Sequence, residues 1–382
     1  MREQLATLAL GLCALSGAAQ AAETKRESFG TLADGRAVET VTLDNGRGAI
    51  AQIITLGASL HTLSVPDRAG KSANITLGYA ALDDYLKKPQ YFGATVGRYA
   101  NRIANGRFDL DGHTYQLSTN EKTTSLHGGE RGLDKVLWQI GELKHGVDAA
   151  SVSLSYVSAD GEMGYPGKLS ITATYTLDTH NRLSIEYRAT TDKPTIVNLS
   201  NHAYWNLSGE GSGSVMDQRL RIVADAYLPV DEKLIPTGEV RSVAGSVFDF
   251  RETKPIGRDI RRGDDAQLLV GHGYDHNFVV ARSMASAPRL VAQVEDPASG
   301  RVLKLLSAQP GLQFYSGNFL DGSTVGTGGR VYRQGDAFAL EPQLFPDTPN
   351  QPAFGSARLD PGKEYRNLIV YEFSTAAAPP SH

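Results

Sequence analysis

Alternation of apolar and polar residues with a period of two is the feature that most constrains the fold of this chain. From Leu169 to Leu177 every second residue is apolar, and the residues between them are serine or threonine. The pattern resumes after a turn-like Asp-Thr-His-Asn segment and runs from Leu183 to Ala189. Successive side chains of a strand point to opposite faces, so each run predicts a half-buried strand. Together the two runs predict an antiparallel hairpin.

Shorter runs of the same kind recur along the chain between glycine and proline turns, while long helical patterns are almost absent. A tight hairpin is predicted at Asp111 and Gly112, and a short helix at 81–87. The 382 residues, 41% of them apolar, can bury a large core, and neither a repeat nor a charged linker divides them. We therefore expect an all-β fold, a large antiparallel β-sandwich with few short helices, and a single domain over 22–382.

The first 21 residues have the pattern of a secretory signal peptide. Arg2 precedes an apolar run at 5–15, and the Ala-Gln-Ala at 19–21 fits the A-x-A cleavage site. We expect a mature chain that begins near Ala22 and is periplasmic if the source is a Gram-negative bacterium; a buried N-terminal helix is the alternative. Cys13 is the only cysteine, so the mature protein would have neither a disulfide nor a cysteine ligand.

The charge balance argues against a nucleic-acid partner. Lys plus Arg number 38 against 42 Asp plus Glu, a net charge of -4, and no basic block occurs along the sequence. Nucleic-acid binding requires clustered basic residues, which this chain lacks. The apolar run near the N-terminus is too short to span a bilayer, so we expect no membrane partner, and a monomer is our default.

Glu341 lies near the end of a predicted strand, in the segment ALEPQ. It alternates with the apolar Phe338 and Leu340, so its carboxylate should point away from the core, and Pro342 should disturb the strand. A carboxylate on rigid backbone can serve as a proton acceptor. An ordinary solvated glutamate at a strand end is the alternative.

His202 lies in NHAYWNL, where strand alternation places it on one face with Tyr204 and puts Trp205 on the other face. A histidine titrates near pH 6.5, so it can donate or accept a proton at physiological pH. This makes His202 a candidate general acid or base. The alternative is a core histidine that is hydrogen-bonded to the backbone.

Three more polar groups occur beside turn residues. His127 precedes Gly128 and Gly129, which permit a tight turn and close approach by a ligand. Asn101 and Arg102 together offer several donors to hydroxyl oxygens. An exposed loop histidine and a surface ion pair are the plainer interpretations.

Asp275 lies in GYDHNF and is suited to accept hydrogen bonds from sugar hydroxyls. His272 and His276 have the spacing of a histidine pair that binds zinc from one face of a helix. Gly273 between them argues against such a helix, so we expect no metal. Gln313 alternates with apolar neighbours and should therefore face the pocket side.

In their order and spacing these segments resemble the aldose 1-epimerase (galactose mutarotase) family. The motifs are FGATVGRYANRI from Phe92, LHGG from Leu126, NLSNHAYWNL from Asn198, GYDHNF from Gly273, QPGLQFYSGNFLDG from Gln309 and LEPQLFPDTPNQP from Leu340. The resemblance implies an antiparallel sandwich with its active site in a cleft on one sheet. It also implies a cofactor-free enzyme that interconverts the α and β anomers of free hexoses.

The resemblance further implies a role for each candidate. Glu341 falls on the general base and His202 on the general acid. Sugar-contacting positions fall on Asn101, Arg102, His127, Tyr204, Asp275 and Gln313. Ring opening takes a proton from the anomeric hydroxyl and gives one to the ring oxygen. We expect Glu341 to rest as a carboxylate and a neighbouring carboxylate to raise the pKa of His202, which would then be partly protonated.

Three alternatives remain open from the sequence. A noncatalytic carbohydrate-binding protein could use the same polar and aromatic groups. An epimerase of hexose 6-phosphates would need extra basic residues, for which Arg261 and Arg262 are candidates. A glycoside hydrolase would use Asp275 and Glu341 as paired carboxylates. The preferred hexose cannot be predicted from these residues.

Overall fold

The computed structural model describes residues 21–88 and 90–377. Apart from Ala21, the predicted signal peptide lies outside the described residues, as does Cys13. Three sheets and five two-stranded pairs make up the described chain, and all pairings between their strands are antiparallel. The prediction of an all-β fold is confirmed.

The largest sheet has nine strands. In order across the sheet they are β11 (Gln139–His145), β12 (Ala149–Ser158), β13 (Leu169–Asp178), β14 (Arg182–Thr191), β30 (Tyr365–Thr375), β24 (Arg301–Ser307), β23 (Arg289–Glu295), β18 (Arg219–Ile222) and β21 (Lys254–Pro255). The predicted hairpin is β13 and β14, with Leu169 opposite Thr191 and Leu177 opposite Leu183. The apolar residues of β13 are buried and the alternate residues are more exposed, as the period of two predicts.

A six-stranded sheet packs against the largest sheet and carries four of the eight candidates, namely Tyr204, Asp275, Gln313 and Glu341. In order its strands are β17 (Tyr204–Trp205), β28 (Phe338–Gln343), β25 (Gly311–Tyr315), β22 (Asp275–Val279), β19 (Ala226–Leu228) and β20 (Arg241–Ser242). Its inner face contributes Trp205, Phe314 and Leu340 to the main apolar core, and the Trp205 ring lies 4.8 Å from that of Tyr371 in β30. The two sheets thus form a sandwich, and the alternate residues of β28, β25 and β22 face away from it.

Pro342 lies within β28 and does not end it, which corrects the expectation from the sequence. Pro342 pairs with Leu312 of β25, and β28 continues to Gln343. On its other side β28 pairs with β17 only at Phe338 and Ala339. The proline therefore lies where β28 is paired with a strand on one side only, and a missing N–H is tolerated there.

A five-stranded sheet and five strand pairs complete the β structure. The sheet contains β1 (Glu23–Thr31), β2 (Ala37–Asp44), β3 (Ile50–Ile54), β4 (Ser59–Pro66) and β5 (Ser72–Asn74). The pairs are β6 (Thr95–Val96) with β16 (Ser200–Asn201), β7 (Arg102–Ile103) with β10 (Ser125–Leu126), β8 (Arg107–Leu110) with β9 (His113–Gln116), β15 (Thr195–Ile196) with β29 (Arg358–Leu359), and β26 (Asp321–Val325) with β27 (Val331–Arg333). β8 and β9 are the predicted hairpin, with φ of 51° at Asp111 and 76° at Gly112.

Helices are short. α1 spans Leu82–Lys87, in agreement with the prediction, and α2 spans Ala266–Gly271. The sequence pattern missed α2 because so short a segment shows no apolar stripe; Asp265 caps it by accepting from the backbone N–H groups of Gln267 and Leu268. Single-turn 3-10 helices occur at Ala104–Gly106, Leu133–Lys135, Glu162–Gly164, Ile256–Arg258, Thr348–Asn350 and Pro352–Phe354.

Within 21–88 and 90–377, no helix combines the length and the apolar character needed to cross a membrane.

Candidate active site

A pocket of about 130 Å³ opens on the outer face of the six-stranded sheet. Seven of the eight predicted site residues line it: Asn101, Arg102, His127, His202, Tyr204, Asp275 and Glu341. The eighth, Gln313, lies opposite Glu341 in the strand register and donates from Nε2 to Asp275 Oδ1 at 2.7 Å. The structure thus brings together residues that are up to 240 positions apart in the sequence, 101 to 341.

Glu341 and His202 face each other in this pocket, and both are buried. Glu341 Oε1 lies 3.6 Å from His202 Nε2. Glu341 Oε2 and His202 Nδ1 have no hydrogen-bond partner among the described residues. Glu341 points away from the apolar core as predicted, but it is not the solvated glutamate of the alternative interpretation. Both residues line the pocket, and each has one buried polar atom without a partner.

Burial governs the protonation of this pair. It raises the pKa of Glu341 well above its usual range, with the nearby Asp275 adding to the increase and Arg102 opposing it. Burial lowers the pKa of His202 to about 4. We expected Glu341 to rest as a carboxylate and a neighbouring carboxylate to raise the pKa of His202. Both expectations are wrong, because the cost of burying the charged form dominates at each group. Over a wide pH range the pair therefore holds one proton.

His127 enters the pocket from a strained turn. Its φ is 51°, and Gly128 follows at 96°, where an added Cβ would lie 1.8 Å from the carbonyl oxygen of Gly97. The Asn101 N–H donates to His127 Nδ1 at 3.1 Å. Burial lowers the pKa of His127 well below its usual range, with smaller contributions from His202 and Arg102, so the ring is neutral. A neutral ring whose Nδ1 accepts must carry its proton on Nε2.

That tautomer bears on whether the pocket could hold a metal ion. Donor atoms of His127, His202 and Glu341 lie within 4.8 Å of one another, which is close enough for a shared ion. A metal needs a free lone pair on each ligand, whereas His127 uses one ring nitrogen to accept from Asn101 and has its proton on the other. The arrangement is better suited to a hydroxyl oxygen than to a metal ion.

The histidine pair that invited a metal interpretation does not form a site. His276 is buried in β22, where its Nδ1 accepts from the Asp275 N–H and its Nε2 lies 3.2 Å from Gln267 Oε1. His272 is exposed at the C-terminal end of α2. His276 therefore fixes the backbone beside Asp275.

Tyr91 is a pocket residue that the sequence analysis missed. Its ring lies 4.8 Å from that of His127 and 5.7 Å from that of His202, and Asn120 Nδ2 donates to its hydroxyl at 3.3 Å. Its φ of 58° is uncommon for an aromatic residue, and strain of this kind concentrates at functional sites. The available signal was its position directly before the FGATVGRYANRI segment. The other missed lining residues are Gln90, Glu121, Leu126, Tyr315 and Phe319.

Comparison with known proteins identifies the family. The sequence model described as aldose 1-epimerase matches residues 39–372 of this chain. The chain belongs to the aldose 1-epimerase family.

Relatives of this aldose 1-epimerase family member match over nearly their whole length. Galactose mutarotase of Rattus norvegicus is 46% identical over 352 residues, covering 92% of this chain and 98% of the relative. Aldose 1-epimerase of Escherichia coli (strain K12) is 40% identical over 342 residues, covering 89% of this chain and 96% of the relative. The solved galactose 1-epimerase of Lactobacillus acidophilus NCFM is 29% identical, with a TM-score of 0.81 and coverage of 93% and 99%.

The tautomer of His127 is directly measurable. We expect nitrogen-15 NMR of the histidine rings to show His127 neutral at pH 6, with its proton on Nε2, because the Asn101 N–H occupies Nδ1 and burial opposes a second proton. Replacing His127 with asparagine identifies its signals. A charged ring, or a proton on Nδ1, at that pH would contradict the geometry of the site.

Proposed function

We infer that this chain is an aldose 1-epimerase, which interconverts the α and β anomers of free hexoses. The observation that carries this conclusion is the pair formed by Glu341 and His202, which are buried 3.6 Å apart and both line the pocket of an aldose 1-epimerase family member. The relatives named galactose mutarotase and aldose 1-epimerase match this chain over about nine-tenths of its length.

The reaction needs two coordinated proton transfers. In the proposed mechanism Glu341 takes the proton of the anomeric hydroxyl while His202 gives a proton to the ring oxygen, and the bond from C1 to the ring oxygen breaks. The open-chain aldehyde rotates about its C1–C2 bond. The two transfers then run in reverse on the other face of the carbonyl, and both side chains return to their starting forms.

The proton shared by the pair must reach His202 before the ring opens. In the free protein burial favours the neutral pair, with the proton on Glu341. Sugar hydroxyls that donate to the carboxylate stabilise its charged form, and the positive charge of Arg102 acts in the same direction. We therefore propose that substrate binding moves the proton from Glu341 to His202 and so loads the general acid.

The remaining pocket groups suit recognition of sugar hydroxyls. His127 presents its Nε2–H as a donor, Asp275 offers carboxylate oxygens as acceptors, and Tyr204 adds an aromatic face 5.0 Å from the His202 ring. Gln313 would act indirectly, by holding Asp275 through its hydrogen bond. Its proposed role is therefore to orient an acceptor, and not to contact the sugar itself.

The structure gives the hexose 6-phosphate alternative no support. Arg262 lies in a separate surface cleft of about 520 Å³, where its guanidinium pairs with Asp264. Arg251 and Arg258 in the same cleft pair with Asp249 and Asp259. Neither Arg261 nor Arg262 lines the catalytic pocket, and a phosphate site would need unpaired basic groups there.

Removing either proton carrier should abolish most of the rate enhancement. We expect Glu341→Gln and His202→Asn to lower kcat by about 10² to 10⁴-fold each, because each loses one proton transfer. Polarimetry of freshly dissolved α-D-glucose and α-D-galactose measures the rate above the uncatalysed blank. Glu130→Gln and His180→Asn change the same residue types at exposed positions and should retain full activity.

The same assay separates the enzyme from a binding protein. A wild-type chain that binds hexose but never outpaces the blank is a noncatalytic carbohydrate-binding protein, and the mechanism above fails. Release of sugar from a glycoside would instead support the hydrolase alternative with Asp275 and Glu341 as its carboxylates.

We also propose export of this epimerase, on the evidence of the apolar run at 5–15 and the Ala-Gln-Ala at 19–21. Expression of the full chain in a Gram-negative host, followed by N-terminal sequencing of the periplasmic fraction, should give a chain that begins near Ala22. Full-length protein confined to the cytoplasm would contradict this proposal. The monomeric state stays a prediction.

A further inference from the structure

Glu121 lines the pocket but was not predicted as a site residue. It forms hydrogen bonds with Arg102, which was predicted as one. Its carboxylate accepts from Arg102 Nε at 2.7 Å and from Arg102 Nη2 at 2.9 Å. Arg102 is almost completely buried, at 6% side-chain exposure, whereas Glu121 is 36% exposed at the pocket mouth. The pair is bidentate and charge-assisted, which is the strong form of this interaction.

The orientation of the pair determines which donors Arg102 can offer to a ligand. Glu121 occupies the edge of the guanidinium formed by Nε and Nη2. Nη1 remains, and it lies 3.6 Å from Asp275 Oδ2, which is longer than a hydrogen bond. Asp275 Oδ1 is already engaged by Gln313. Arg102 Nη1 and Asp275 Oδ2 thus form a loose ion pair at the pocket that is not closed to hydrogen-bond distance.

The backbone around Glu121 is fixed, so its carboxylate is not a freely moving surface group. The Glu121 N–H donates to the Thr124 carbonyl and the Thr124 N–H donates to the Glu121 carbonyl, which closes a tight turn with Lys122 at φ 55°. Asn120 bonds both the N–H and the carbonyl of Leu126, the residue before His127. The segment that carries Glu121 is therefore tied to the turn that carries His127.

We propose that Glu121 is a positioning residue that holds the guanidinium of Arg102 back from Asp275, so that Arg102 Nη1 and Asp275 Oδ2 are free to bind sugar hydroxyls. Without Glu121, Arg102 can turn and tighten its loose ion pair with Asp275 to hydrogen-bond distance, since both are buried and oppositely charged. A sugar would then have to break that pair in order to bind. Loss of Glu121 therefore weakens substrate binding and leaves the proton carriers, Glu341 and His202, in place.

The test compares Glu121→Ala and Glu121→Gln with Glu130→Gln, an exposed glutamate nine positions further along the chain. We expect Glu121→Ala to raise KM for D-galactose by about tenfold with kcat within about threefold of wild type, the size expected for losing hydrogen bonds to a charged group. Glu121→Gln should lie between the wild type and Glu121→Ala, because an amide oxygen restores one acceptor for Arg102. Glu130→Gln should match the wild type.

The kinetic pattern distinguishes positioning from a purely structural role. A variant that is less thermostable and loses kcat at unchanged KM, or one that matches the wild type in both constants, overturns the proposal. The proposal rests on the proposed function, so calorimetric Kd values for D-galactose are measured on the same proteins. If the wild type binds D-galactose but does not catalyse, the proposed function fails. The role of Glu121 is then still tested, because it predicts a higher Kd for Glu121→Ala than for the wild type.

Discussion

The carboxylate of Glu341 lies 3.6 Å from the imidazole of His202, and both side chains are buried. A buried carboxylate or imidazolium without a partner costs several kcal/mol, so a single proton shared between the two groups is the form that burial allows. Rigid backbone enforces the approach. Glu341 lies on β28, between β17 and β25, while the His202 backbone bonds to Ala94 and Gly93. The sandwich thus holds the two side chains at a fixed separation.

The backbone around the pocket is strained at three residues. Tyr91, Asn101 and His127 all have positive φ, at 58°, 67° and 51°, a conformation that costs an ordinary residue about 1–2 kcal/mol. Such residues persist where the surrounding structure fixes them. Here the strain turns one aromatic ring, one amide and one imidazole into the same pocket, and the Asn101 N–H also sets the tautomer of His127.

Much of the fold could be predicted from the sequence because the period of two is a local signal. The hairpin of β13 and β14 and the outward face of Glu341 follow from it, and the turn at 111–112 follows from its Asp-Gly pair. The set of eight site residues was predicted from the family resemblance of their motifs, and seven of the eight line the pocket. The edge position of Pro342, the partnership of Glu121 with Arg102 and the contact of Tyr91 with two histidines depend on distant segments. The resting protonation of both Glu341 and His202 was predicted wrongly, because the degree to which distant segments bury a polar side chain has no local sequence signal.

The dependence of kcat/KM on pH tests most directly the claim that one proton is shared by Glu341 and His202. With one proton the pair has both an acid and a base; with two it lacks the base, and with none it lacks the acid. We expect a bell-shaped profile that falls below a pH of about 4, where His202 gains the second proton, and falls again at a pH well above the usual range of a glutamate. If kcat/KM, after subtraction of the uncatalysed rate, does not fall in either one of these two pH ranges, Glu341 and His202 do not act through a single shared proton.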